Sequence, residues 1–343
     1  MFMKNRKRII YILVAGGVFS AGLFQWSAEA AGREKLWDML KERRRVKQTA
    51  KKYGKNDPEF ALMHDGLRRV YRVHIPVSYD GKHPVPVVIY VHGGAGDMRA
   101  AYMDGLDKFS DKYGFLLLVP QGTGGVKLGR MRAQWNGGKW ETGDCCGSAD
   151  DVGFISRMID EAKGKFNIDE KRIYATGISN GGLMVNRLGC ELSEKIAAIA
   201  PVASAAIISD CRPSKPVSII VIHGSADPAN PPDGSAPRGI FAEKGAFAMS
   251  YKRMTPYQVV DKWKKINGCL GKGRQGYKKG KADCIIFDQC RTGAEVELCI
   301  VEDMGHAYPG GSQYLPENMV GPVSYDMTFD QIWEFFEESL DRS

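Results

Sequence analysis

The sequence predicts an α/β fold in which a mostly parallel central sheet is covered by helices on both faces. Three observations carry this expectation. The run Pro86-Val87-Val88-Ile89-Tyr90-Val91 is nearly continuous in apolar, β-branched residues, the pattern of a strand buried on both faces of a parallel sheet. Similar runs recur at 115–119, 172–176, 197–202, 217–222 and 296–301. Between them lie segments of helical character, at 99–113, 152–166, 181–192 and 256–267. Strands that alternate with helices in this way argue for parallel pairing.

The individual elements carry local signals. Val70-Tyr71-Arg72-Val73-His74-Ile75 alternates as a half-buried strand does. Thr255 is placed to cap the helix at 256–267, and Thr328 to cap a last helix at 329–340. Two stretches rich in Gly and Pro, 121–149 and 229–254, resist either pattern. Long loops of this kind in compact domains tend to be functional, so they are expected to wall a pocket.

With 343 residues, 43% of them hydrophobic and 26% charged, the chain suits one compact domain with short appendages. Its formal charge of +8 suggests a polyanion partner until it is divided along the chain. Residues 1–30 carry +3, residues 33–55 carry +7, and everything from Asn56 onward sums to −2. A nucleic-acid partner is therefore not expected, because the main domain lacks a positive field.

Residues 1–30 have the form of an export signal. Lys4, Arg6, Lys7 and Arg8 precede an apolar run that begins at Ile9, and Ala28-Glu29-Ala30 offers the small residues of a cleavage site. The alternative is an uncleaved anchor, since the apolar stretch is nearly long enough to span a bilayer. Cleavage after Ala30 would give a secreted or periplasmic protein with no stable membrane insertion. Residues 31–61 form a basic extension, in which Leu36, Trp37, Met39 and Leu40 suggest a helix. The main domain is expected over 62–343.

Export bears on the eight cysteines, Cys145, Cys146, Cys190, Cys211, Cys269, Cys284, Cys290 and Cys299. An even count in an oxidising compartment points to disulfides. Cys269 is expected to pair with Cys284 or Cys290, which enclose one short basic segment with it.

Gly177-Ile178-Ser179-Asn180-Gly181 matches G-x-S-x-G, after a strand and before a helix. That is the setting of a nucleophile elbow, in which glycines admit a turn too tight for Cβ atoms. A serine hydroxyl needs a base, and among six histidines His306 follows the last expected strand in a glycine-bounded loop. An acid should orient that base. Asp227, shortly after the strand at 217–222, is the first candidate and Asp233 the second. The chain order serine, acid, histidine is that of the α/β-hydrolase fold. An oxyanion would be held by the backbone N–H of Asn180 and of Gly94, the latter in His92-Gly93-Gly94-Ala95-Gly96. Trp135, Trp140 and Tyr308 are candidates for substrate contact, with packing against the core as the competing role. No P-loop and no H-E-x-x-H occurs, so neither a cofactor nor a metal is expected.

Four blocks then give a more specific resemblance. The stretch 65–76, Asp150-Asp151-Val152-Gly153-Phe154-Ile155, Gly177-Ile178-Ser179-Asn180-Gly181-Gly182 and Gly305-His306-Ala307-Tyr308-Pro309-Gly310 are similar to blocks of the polyhydroxybutyrate depolymerase-like esterases. That group is similar in turn to secreted feruloyl and acetylxylan esterases, and the resemblance spans about 62–340. It implies an α/β-hydrolase fold and a triad formed by Ser179, Asp227 and His306. Tyr308 stands where the family usually has tryptophan, and the segment after Asp227 is longer than usual, so the substrate does not transfer directly. Asp151 is read as the N-cap of its helix. The function expected is hydrolysis of carboxylic esters, such as hydroxyalkanoate oligomers or feruloyl and acetyl esters. A serine peptidase on the same fold and a non-catalytic binding protein are the alternatives, and the oligomeric state stays open.

Overall fold

A computed structural model of the chain describes residues 57–124, 133–140, 143–204, 206–242, 254–291 and 293–340. All of them lie in the compact unit Ala50–Ser343. The expected signal and the basic extension up to residue 56 lie outside the described residues.

The sheet has ten strands in the order β1-β2-β4-β3-β9-β10-β11-β14-β13-β12. Its middle is parallel: β4 (Leu116–Pro120), β3 (Val85–Val91), β9 (Ile168–Ile178), β10 (Ala198–Val202), β11 (Ser218–Gly224) and β14 (Val296–Val301). Antiparallel strands close both ends, with β1 (Glu59–His64) and β2 (Leu67–His74) on one side and β13 (Ala282–Phe287) and β12 (Arg274–Lys279) on the other. Residues 57–61 thus lead into and begin β1, where an extension outside the domain was expected. Two small ribbons, β5 (Thr123–Gly124) with β6 (Ala133–Gln134) and β7 (Gly138–Trp140) with β8 (Gly143–Cys145), occupy the first Gly-rich stretch.

The apolar runs are continuous because each central strand feeds two cores. Val87, Ile89 and Val91 enter one core, with Phe154, Val185 and Trp263 from the helices α3 (Asp151–Lys163), α4 (Asn180–Glu191) and α5 (Pro256–Asn267). Val88 and Tyr90 point the other way, to Leu106 of α2 (Leu106–Tyr113) and to Phe329, Trp333 and Phe336 of α7 (Phe329–Glu338), which follows the short α6 (Glu317–Val320). Side chains alternate along a strand, so a run with no polar residue reads as a strand covered twice.

Several local signals act as expected. Thr255 accepts from the Gln258 N–H, and the Gln258 side chain returns the bond, a capping box that starts α5; Thr328 does the same with Gln331 for α7. Other boundaries differ. The helix expected at 99–113 is two helices, α1 (Arg99–Met103) and α2, because Gly105 has φ +77 and turns the chain between them. The N-cap of α3 is Asp150, whose carboxylate accepts from the Gly153 N–H, while Asp151 lies one residue on and is fully buried. Asp151 instead accepts from Arg69 Nη2 at 2.6 Å, on β2, so this buried charge has a partner.

Three disulfides among the described residues tie the domain. Cys284 and Cys299 face each other in register on β13 and β14. Cys269, just after α5, pairs with Cys290, one of the two partners the sequence left open. Cys190, in the last turn of α4, pairs with Cys211 and pins the loop after β10. The Cys190–Cys211 bridge spans 21 positions. Replacing both cysteines by serine should lower the unfolding free energy by about 3 kcal/mol, measured by urea denaturation. A loss under about 0.5 kcal/mol would show that the bridge does not constrain the unfolded chain.

Candidate active site

Because the middle of the sheet is parallel, the loops leaving the carboxyl ends of β3, β9, β11 and β14 emerge at one edge. Those loops carry Gly94, Ser179, Asp227 and His306. Ser179 stands between β9 and α4 with φ +59 and ψ −123, a backbone conformation a side-chain-bearing residue rarely takes. Its N–H donates to Val202 O at 2.9 Å, which holds the turn on the neighbouring strand β10. Two glycines make room for it. A Cβ on Gly177 would lie 2.3 Å from Val91 O, and one on Gly181 would lie 2.0 Å from the same oxygen. The sequence pattern therefore reflects how closely this turn presses on the end of β3.

His306 lies after β14 and is buried beside Asp227. Its Nδ1 lies 2.9 Å from Asp227 Oδ2. A carboxylate oxygen accepts, so the proton sits on Nδ1 and Nε2 is the basic nitrogen. Asp227 Oδ1 accepts from the N–H groups of Ala229 and Asn230, at 2.7 and 2.8 Å. Burial pushes this carboxyl up, but His306, His223 and the Asn230 N–H outweigh burial and hold it below the ordinary value, so it is ionised at neutral pH. His223, fully buried at the end of β11, donates from Nε2 to Asn230 O at 2.7 Å and so braces the turn that carries Asp227. Asp233, the second acid candidate, is turned to solvent and accepts from the Ser235 N–H at 2.9 Å. The ring of Phe241 lies 5.4 Å from that of His306.

The loop after β3 is shaped by His92. The Gly122 N–H can only donate, and it reaches His92 Nε2 at 3.1 Å, so the ring proton is on Nδ1, which donates to Gly93 O at 2.8 Å. Gly93 O also accepts from the Gly96 N–H at 3.0 Å. No peptide among the described residues is cis, so the N–H of Gly94 points opposite to that anchored carbonyl. A Cβ on Gly94 would be 3.6 Å from Asn180 Cβ, which puts this loop against the start of α4.

The aromatic candidates divide differently from the expectation. Trp135 is fully buried: its ring packs 5.0 Å from that of His92, and its Nε1–H donates to His92 O at 2.9 Å. It is a core residue, with no face left for a substrate. Tyr308 is also buried, with its hydroxyl 2.9 Å from Thr176 Oγ1 on β9 and its ring 5.7 Å from that of Tyr90. It packs against β9 and β3. The side chain of Trp140 lies outside the described side chains. His92 and His223 were legible only as strand-ending histidines; their roles depend on backbone partners, Gly93 and Gly122 for the one and Asn230 for the other.

Burial holds His92 down to about 4, whereas the ordinary value is 6.5. Between these two values the unfolded chain takes up a proton that the folded chain refuses, so this contribution to stability is lost as pH falls through that window. His92→Asn keeps a donor near Gly93 O and cannot titrate. In denaturation series from pH 6.5 to 4 it should show a shallower decline than the parent; an unchanged slope would contradict the neutral buried ring.

No family model matches the chain. It is 30% identical over 247 residues to feruloyl esterase B of Piromyces equi, a match that covers 70% of this chain and 42% of that protein. It thus spans less than half the length of that relative. It is 26% identical over 266 residues to the putative esterase NocK of Nocardia uniformis subsp. tsuyamanensis, covering 72% of each chain. A probable feruloyl esterase C of Aspergillus terreus is 25% identical over 273 residues, covering 78% of this chain and 83% of the relative. Among solved structures, an acetyl xylan esterase from Aspergillus awamori superposes with a TM-score of 0.54 at 13% identity, covering 82% of this chain and 99% of the other. The chain therefore has the α/β-hydrolase fold and is a sequence relative of the feruloyl esterases.

Proposed function

We propose that the protein is an exported serine esterase, with Ser179 as nucleophile, His306 as general base and acid, and Asp227 as the acid that orients it. The observation that carries this reading is the buried His306 Nδ1–Asp227 Oδ2 bond of 2.9 Å, on the sheet edge to which the strained turn lifts Ser179. In the first half-reaction His306 Nε2 takes the hydroxyl proton as Ser179 Oγ bonds to the ester carbon. The resulting oxyanion is held by the N–H groups of Gly94 and Asn180. Collapse breaks the bond to the alcohol oxygen, which leaves with the proton from His306. Water then attacks the acyl-enzyme by the same route, which releases the acid and restores Ser179. Asp227 remains ionised throughout and stabilises the imidazolium. The chemistry needs no metal or cofactor.

Feruloyl or acetyl esters of plant polysaccharide are the proposed substrates, since named relatives include feruloyl esterases and a bifunctional acetylxylan esterase/xylanase of Neocallimastix patriciarum. The signal-like residues 1–30 and the three disulfides among the described residues support action outside the cytoplasm. No helix among the described residues is long and apolar enough to cross a membrane.

A panel of hydroxycinnamoyl sugars, acetylated xylo-oligomers and hydroxybutyrate oligomers tests the substrate class; preference for the last would overturn it. Ser179→Ala should remove nearly all turnover while the fold is retained, because only binding and the oxyanion donors remain. Turnover within about tenfold of the parent would refute Ser179 as nucleophile. Asp227→Asn should cost about 10⁴ in kcat by disfavouring the productive tautomer of His306. A greater loss from Asp233→Asn would move the acid to that residue.

A further inference from the structure

We propose that the side chain of Asn180 and the buried carboxylate of Asp151 are positioning residues of the oxyanion hole, acting through the segment 133–136. The inference rests on the esterase reading above. A backbone donor is available from any residue except proline at 180, so an ester hydrolase has no chemical need for asparagine there. The Asn180 side chain is nonetheless engaged at both ends. Its Oδ1 accepts from the Trp135 N–H at 2.7 Å, and its Nδ2 donates to Trp135 O at 3.1 Å. One amide thus grips both polar groups of one backbone residue, and aspartate or leucine of similar size lacks that pairing.

Residues 133–136 tie both oxyanion donors to one strip of backbone. Toward the loop of Gly94, Ala133 O accepts from the Ala95 N–H at 2.8 Å and Trp135 Nε1 donates to His92 O at 2.9 Å. Toward α4, the Asn180 pair is joined by Arg187, which donates from Nη1 to Asn136 O at 2.9 Å. The two donors come from loops of different strands, and the Asn180 and Ala95 bonds fix both loops through residues two apart in sequence. The strip itself is anchored from below. Asp151 Oδ2 accepts from the Asn136 N–H at 2.7 Å, and Asp151 Oδ1 from Arg69 Nη2 at 2.6 Å. Arg69 also donates to Gln121 O at 3.2 Å and lies 4.0 Å above the Phe154 ring, so the carboxylate is itself held firmly. Asp151 and Arg69 are both buried, so nothing in solvent competes for these bonds. An oxyanion hole stabilises only if its donors are in place before charge develops, since a small misplacement is costly.

The expected signature is a loss in kcat with little change in KM, because ground-state binding does not use these donors. Asn180→Ala, which keeps the backbone donor and removes the grip, should lower kcat about 10- to 100-fold and change KM by less than about threefold. Affinity for a trifluoromethyl ketone, whose adduct carries the oxyanion, should fall in parallel with kcat/KM. Asn180→Asp, which cannot donate to Trp135 O, should fail to restore the rate. Asp151→Asn leaves Arg69 without its charge partner and is expected to lower thermal stability as well. Should either variant not fold, Trp135→Phe is the independent test. It removes the donation to His92 O, and a fall in kcat without a rise in KM is again expected. An Asn180→Ala enzyme with kcat within about twofold of the parent would overturn the proposal. So would equal losses in ketone affinity and in KM. If Ser179→Ala retains activity, the esterase reading itself fails; if Ser179→Ala is inactive and Asn180→Ala is not, only the positioning role falls.

Discussion

The close approach of two backbones sets the rest of the site. Val91 O, at the end of β3, lies where a Cβ on Gly177 or Gly181 would have to be. Only with glycine at both positions can β9 turn into α4 within so short a distance, and only that turn raises Ser179 clear of the sheet at φ +59. The same contact places the loop after β3 beside the start of α4. Closeness at this one point therefore sets Ser179 and Asn180 beside the Gly93-Gly94 loop.

Electrostatics at the sheet edge follow from three buried histidines held in different ways. His92 and His223 each anchor a turn through backbone oxygen, and burial holds both below the ordinary imidazole value, so they act as neutral structural groups. His306 alone is oriented through Nδ1 by a carboxylate, and that carboxylate is fixed by two backbone N–H groups before it meets the ring. In the proposed reaction this difference separates the histidine that exchanges protons from the two that shape its surroundings.

The parts legible in the sequence were those with a local signature. The central strands carried apolar runs because two cores claim them, and the elbow showed in Gly177 and Gly181 because sterics leave no other residue. Asp227 and His306 could be chosen from their order after strands, and the structure places them 2.9 Å apart. The less legible parts depend on distant partners. The β12–β13 hairpin has no such signature, because edge strands rich in charge, such as Arg274 to Lys279, lack the apolar run of central ones. Gly105 broke an apparently continuous helix, and Asp150 took the capping role expected of its neighbour because Arg69 and Asn136 occupy Asp151. Trp135 looked like a pocket aromatic in a Gly-rich stretch. It is buried, and its indole N–H is satisfied by His92 O, a partner 43 residues away.

The proposed chemistry depends above all on Ser179 being an activated nucleophile rather than a strained structural residue. The most direct measurement is intact-mass and peptide mapping after treatment with a fluorophosphonate. The expected result is one adduct per chain, on the peptide containing Ser179, formed at a rate that collapses in His306→Ala. A chain that hydrolyses esters while remaining unlabelled, or that carries the adduct on another residue, would contradict it.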